Sequence, residues 1–474
     1  MNYTSILLLS CVILSTLQAN NTSSKLEFKL IDEGTVSADA LWLTRYRFGP
    51  GLNVNRNSIQ VHKGYIFVTW YQGGMDNRHM MLSRKKIGAS EWHHIKFPHR
   101  HVMFRGDKHL PEDQRRGDSH NTIAVGICPI DDSVHLIYDL HAYTPADFKN
   151  AYFNYNKSIK GAAIVPDAQW NLDLFSEKLN YLSRSARKKD YHRVTYPKFW
   201  VDRSDKLHVS WRVGGTHDAA MQLSTYDGEN WSKPRAWNVV PREKSLNKGF
   251  YGQFELYNDK LFACWSRRSQ LDVDSGYLAS GLYLAESFTD TASSYWLTMD
   301  GQKSRIPHKD WEHYKIADPV KPGERFGGGP SFIVTQKGAF HAVFPDIVKS
   351  NGEIVTRHAY CRHKSETPVF FENNGVLEKT KIKLHEIGGH IFMYGLSAGL
   401  PQIKKFDLKS ESWKTVFSAS GLRNIFPVGT QYRQCVITMD GDTAYFHLIK
   451  SAARGVDAVA TRVVSIAPYS LRSF

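Results

Sequence analysis

Two histidines, two tyrosines and an arginine stand in short polar motifs of an otherwise strand-like sequence. His120 lies in Asp118-Ser119-His120-Asn121, His141 closes Tyr138-Asp139-Leu140-His141, Tyr196 sits in Thr195-Tyr196-Pro197, Arg212 follows Trp211, and Tyr251 precedes Gly252. A further histidine, His217, follows Gly214-Gly215-Thr216. Together these types could run a β-elimination on a uronic acid. A neutral imidazole can take the C5 proton near neutral pH. A phenol can donate to the departing O4, and cationic surroundings favour its ionisation. The C5 proton is barely acidic while the neighbouring carboxylate keeps its charge, and a guanidinium grips that carboxylate in bidentate fashion. Taken singly, a His or Tyr in a β-protein is usually structural. The chemistry therefore depends on what brings residues 120 to 251 together.

An internal repeat supplies that element. Each copy has a short apolar strand, a turn rich in Asp, Asn, Lys or Gly, and a second apolar strand. The first five copies are 58–61 with 65–70, 122–125 with 134–138, 198–201 with 207–211, 253–256 with 261–265, and 331–334 with 339–344. Two weaker copies follow, one around 390–394 with 405–408 and one at 434–437 with 444–447. Strand-rich repeats of about 40–50 residues are propeller blades, so the expected fold is all-β, a seven-bladed β-propeller over residues 20–474. In a propeller, the start of each first strand and the end of each second strand share one rim. His120, Tyr196 and Tyr251 precede or open first strands, while His141, Arg212 and His217 close second strands, so neighbouring blades should turn them to one patch. Two segments, 93–116 and 184–193, read as basic insertions that wall this rim, suited to sulfate or carboxylate groups.

The bulk composition agrees with an acidic polymer as partner. Lys and Arg number 61 against 46 Asp and Glu, a formal charge of +15, and none of the charged residues falls within 1–19. Such a chain attracts polyanions. The apolar runs at 6–9 and 12–14, followed by Gln18-Ala19, read as an export signal over residues 1–19. Cys11 after Leu8-Leu9-Ser10 loosely resembles a lipoprotein cleavage site, but apolar residues continue beyond it, so cleavage near Ala19 is preferred. Export favours an anionic polysaccharide over nucleic acid, and a secreted monomer without a membrane span is expected. Cys128, Cys264, Cys361 and Cys435 are far apart and form no disulfide scaffold.

The motifs Asp118-Ser119-His120-Asn121, Asp139-Leu140-His141, Tyr196-Pro197-Lys198-Phe199 and Ser210-Trp211-Arg212-Val213-Gly214-Gly215 resemble those of the propeller-type ulvan lyases, polysaccharide lyase families 24 and 25, with family 25 the closer. The resemblance covers most of the chain and is sharpest from about Asp118 to Glu255. It implies cleavage of ulvan between rhamnose 3-sulfate and the uronic acid. It further implies His120 and Tyr196 as the base and acid pair, Arg212 as neutraliser of the carboxylate, His141 as a second base or neutraliser, and His217 and Tyr251 as substrate-binding residues. It also implies a structural zinc, not a catalytic one, with Cys264, His341, His358, Cys361 and His363 as candidate ligands. Buried cysteines acting as small hydrophobes are the plainer reading of that set.

The sequence leaves two rival functions open. A sialidase-like glycoside hydrolase would fit the segment 225–231, which partly echoes an Asp-box, but needs a carboxylate pair or a Tyr–Glu nucleophile. Asp118 and Asp139 are the main carboxylates near the expected rim. A non-catalytic propeller that binds sulfated glycans would use the same basic loops.

Overall fold

Short strands that are apolar on both faces cannot stand alone in water; they must be covered by further sheets. A computed structural model, described over residues 26–470 except 43–44, 48–56, 216–217, 240–248, 273–275, 289–292, 310, 327–328, 378–380 and 451–457, meets this need with seven antiparallel sheets in a ring. The expected leader and His217 lie outside the described residues.

The first strands of the seven blades are Ile59–His62, Ile123–Cys128, Val194–Val201, Gly249–Tyr257, Ser331–Val334, Lys383–Ile387 and Tyr432–Asp440. They approach one another around the axis, with the seventh beside the first. There, Lys198 of the third blade and Lys383 of the sixth share Glu255 of the fourth, at 2.5 and 3.1 Å. The copies read from the sequence all correspond to blades. In the sixth, however, the segments noticed belong to the second and third strands, His390–Ser397 and Leu400–Asp407, and the first strand precedes them.

Closure uses the two ends of the chain. Strand Leu26–Leu41 pairs antiparallel with Ala458–Ser470, from Leu26 against Ser470 to Leu41 against Ala458, and so forms the outer strand of the seventh blade. A ring closed this way has no unpaired join at its weakest point.

The core lies between blades. Phe67, Leu82, Val125 and Leu136 pack the first blade on the second; Ile137, Phe199, Val209 and Trp211 pack the second on the third. Gly126 marks how close these faces come, because a Cβ there would stand 2.5 Å from the Phe199 ring. The four described cysteines are all buried and unbridged.

One expected feature is corrected. His93–Arg100 is the outer strand of the first blade, not part of a loop. Its alternation of inward Ile95 and Phe97 with outward residues is the period of a half-buried strand, which the density of histidine and arginine obscured. The loop proper spans 101–116.

Candidate active site

His141 and Tyr196 are placed by departures from regular strand geometry. The second strand of blade two, Ser133–Tyr138, ends at Asp139, whose φ of 59° is left-handed. The chain then crosses to the third blade: His141 bridges Thr195, and the Ala142 amide donates to the Val194 carbonyl at 2.9 Å. On the third blade the ladder runs from Thr195–Arg212 directly to Lys198–Ser210, leaving a bulge at Tyr196 and Pro197. Tyr196 there takes a φ of 56° and remains 39% exposed on an inner strand whose neighbours are buried. A bulge re-aims a side chain, and a non-glycine residue in the left-handed region costs energy that functional sites often hold.

Asp118 organises the two histidines. Its carboxylate accepts from the His141 Nδ1 at 2.7 Å and from the His120 backbone amide at 3.1 Å, and stands 3.4 Å from the His120 Nδ1. Tyr143 donates to Asn121 Oδ1 at 2.9 Å and reaches the same Asp118 carboxylate at 3.3 Å. The imidazoles stack with centroids 4.2 Å apart and planes 19° from parallel. With both Nδ1 atoms turned to Asp118, both Nε2 atoms point away from it. The His120 ring lies 5.8 Å from the Tyr196 ring.

Arg212 completes the group. Its guanidinium carbon is 4.8 Å from the Tyr196 centroid and 4.6 Å from that of Tyr251. The residue is 5% exposed, its Nε and Nη1 make no hydrogen bond, and no carboxylate pairs with it among the described residues. A buried cation in this condition carries a desolvation cost that an incoming anion would offset.

The electrostatics follow from burial and these contacts. Burial pushes the His120 imidazole below its usual range, aided by the neighbouring His141 and Arg212 charges and opposed by Asp118. Burial would raise the Asp118 carboxyl, yet hydrogen bonds with His120 and His141 hold it far below the usual carboxylate range. The site thus presents a neutral base beside a fixed negative charge and an unsatisfied positive one.

Asp118, His120 and His141 also form the only trio of potential metal donors within 4.8 Å of one another among the described residues. The short His141–Asp118 bond already uses one donor of each, so the arrangement is a hydrogen-bonded triad.

The five residues considered for zinc do not fit one ion. Cys264 and Cys361 lie in the packing between blades four and five. His341 and His358 lie on the opposite face of blade five, their nitrogens 3.1 Å apart, against Phe406 and Trp413 of blade six. His363 is exposed beyond the end of strand Ile354–Cys361. Strand alternation is the reason: positions 358 and 361 are an odd number of steps apart and face opposite ways.

The basic walls are also quieter than expected. Arg105 pairs with Asp147, Arg116 with Asp107 and Arg187 with Asp190, while Arg115 binds the Leu110 and Lys108 carbonyls. His99 supports the site from blade one, its Nε2 2.7 Å from the buried Asp139. Sequence reading missed Tyr143, which follows His141 by two positions, and placed no orienting role on Asp118.

Residues 65–366 match the family model described as BNR repeat-containing family member. The chain belongs to that family. The chain is similar to the short isoform of ulvan lyase from Alteromonas sp. (strain LOR), 28% identical over 459 residues that cover 89% of this chain and 84% of that one. It is 27% identical to the long isoform from Pseudoalteromonas sp. (strain PLSV), covering 86% of this chain but 43% of that longer one. Among solved structures, the polysaccharide lyase Uly1 superposes with a TM-score of 0.79 at 24% identity, over 93% of this chain and 99% of that one. An ulvan lyase of family 25 bound to -[GlcA(1-4)Rha3S]- superposes at 0.62 with 12% identity, over 94% and 96%. At such identities the superpositions establish the propeller fold of this BNR repeat-containing family member, while its chemistry rests on its own residues.

Proposed function

We propose that this BNR repeat-containing family member is a polysaccharide lyase that cleaves ulvan by β-elimination. The observation that carries the reading is Arg212: a buried guanidinium without a carboxylate partner among the described residues, set against two tyrosines and beside a neutral histidine. The relatives named ulvan lyase support the choice of polymer.

In this mechanism Arg212 neutralises the uronate carboxylate, which makes the C5 proton removable. The His120 Nε2 takes that proton. The C5–H electron pair forms the C4–C5 double bond, the C4–O4 bond breaks, and Tyr196 protonates the departing rhamnose oxygen. The products are a new reducing end at rhamnose 3-sulfate and a 4,5-unsaturated uronate at the non-reducing end. Proton return from His120 to Tyr196 through solvent resets the site. His141, fixed by Asp118, assists beside the carboxylate, and Tyr251 shapes the sugar site; His217 is the further substrate contact this reading assigns. An enzyme for a polymer too large to enter a cell must act outside it, which agrees with export by the leader at 1–19. Among the described residues no helix is long and apolar enough to cross a membrane.

A hydrolase needs two carboxyl groups that face the sugar, or a Tyr–Glu nucleophile. Asp118 and Asp139 are buried and occupied by histidines, so neither serves. The test is incubation with ulvan, heparan sulfate and alginate while following the ultraviolet absorbance of unsaturated uronate. Absorbance that rises with ulvan is expected. New reducing ends without absorbance would identify a hydrolase, and binding without either product would identify a lectin.

A further inference from the structure

The same strands that carry the catalytic groups frame a second groove at their other end. The turn at 202–206 joins Val194–Val201 to Leu207–Val213, whereas Thr195 and Arg212 pair at the far end of those two strands. Six residues of strand separate the two levels, about 20 Å at ~3.3 Å per residue. The groove there has a volume near 650 Å³ and runs between blades three and four, lined by Trp200, Arg203, Lys206, Lys233 and Arg235 among others. That is the size of a small-ligand site.

Its charge is lopsided. Both acids in the lining are already committed. Asp202 accepts from the Ser204 and Lys206 amides at 2.9 and 3.0 Å and lies 2.7 Å from the His208 Nε2, while Asp259 pairs with Arg203 at 2.6 Å. Lys206 and Lys233 are exposed, and neither pairs with a carboxylate among the described residues. Arg235 also lines the groove, its Nη1 3.4 Å from the Ser294 hydroxyl. The floor is rigid. Trp200 stacks on His208 at 5.6 Å and on Phe254 at 6.3 Å, so its indole offers the groove an edge and no face. Its Nε1 makes no hydrogen bond among the described residues.

We propose that this groove is a second, non-catalytic binding site for an anionic saccharide segment, one that bears sulfate or uronate groups. Lysines act as point charges towards such groups, and a groove with no open aromatic face gives a nucleic-acid base nothing to stack on. A polymer chain held here stays close to the enzyme between cuts at the opposite rim, which raises its effective concentration there. The proposal rests on the reading of an acidic polysaccharide substrate, but binding tests it apart from cleavage.

The experiment is affinity electrophoresis of the full chain through gels containing graded ulvan or heparin, in a His120→Ala background that does not degrade the gel. Lys206→Glu/Lys233→Glu is compared with Lys409→Glu/Lys414→Glu, an equal charge change on exposed lysines of blade six. Dissociation constants should rise about five- to tenfold for the first pair on at least one polymer and stay near the parent value for the second. Equal constants for both pairs, or no retardation of any protein, overturns the groove. With His120 intact, the first pair should raise KM for long polymer while leaving kcat/KM for a tetrasaccharide unchanged; an equal loss on both also overturns it. Absence of cleavage by the parent would fell the lyase reading, yet retardation lost only in the first pair would still uphold the groove.

Discussion

The guanidinium of Arg212 lies 4.8 Å from the ring centre of Tyr196, although the two belong to different strands of blade three and one of them sits in a bulge. A cation at that distance favours the phenolate that remains once the leaving oxygen is protonated. In the proposed elimination it would also receive the substrate carboxylate, so that one residue would serve both developing charges.

Replacement of Arg212 by lysine keeps the charge but loses the flat fork that matches a carboxylate. The kcat on ulvan should fall about 10²–10³-fold, comparable with loss of a key electrostatic stabiliser. Steady-state kinetics decide it: a variant within a few-fold of the parent would mean that the carboxylate is neutralised elsewhere.

Tyr196→Phe removes the proton donor and keeps the ring against Arg212. The expected loss in kcat is about 10²–10⁴-fold, with polymer affinity little changed. Retention of full activity would remove Tyr196 from the reaction.

Asp118→Asn should alter the pH profile as well as the rate. Asp118 raises the pKa of His120 against burial and the His141 and Arg212 charges, which lower it. The base must be neutral to act, so activity rises with pH through this pKa. Loss of the carboxylate charge should move the acid limb of kcat/KM to still lower pH. A structural role alone would lower the rate without shifting the limb.

Acid should weaken the fold by a separate route. Burial pushes His135, His308, His341 and His447 down to about 3. Each is neutral in the folded protein and gains a proton in the unfolded chain below about pH 6.5. Their stability contribution is complete above that pH. It is lost as pH falls from there towards 3, by about 1.4 kcal/mol per histidine per pH unit. Thermal melts between pH 7.5 and 5 should show a steady drop in Tm, and a flat profile would contradict it.

Gly252 follows Tyr251 where the first two strands of blade four touch. A Cβ there would stand 2.2 Å from the Cys264 carbonyl and 2.4 Å from the Trp265 Cβ, both rigidly placed. Gly252→Ala should cost about 1–3 kcal/mol and shift Tyr251 away from Arg212. The loss should appear in both Tm and KM; an unchanged Tm would show that the strands can separate at no cost.

Much of this molecule is legible in the order of its residues. Alternating apolar strands around Asp-, Asn- and Gly-rich turns impose sheets that need cover on both faces, and seven copies impose a ring. The position of His120, Tyr196 and Arg212 relative to their strands then dictates a shared rim, because strand period and direction are local properties of the chain. What lies beyond the sequence are relations between distant residues. That Asp118 is shared by two imidazoles, that Tyr196 projects from a bulge, and that Arg105 is taken up by Asp147 depend on side chains converging from separate segments. The failed zinc set shows the same limit from the other side. The resemblance grouped His358 with Cys361, but one strand turned them to opposite interfaces, and only the packing of blades four, five and six determined which neighbours each would meet.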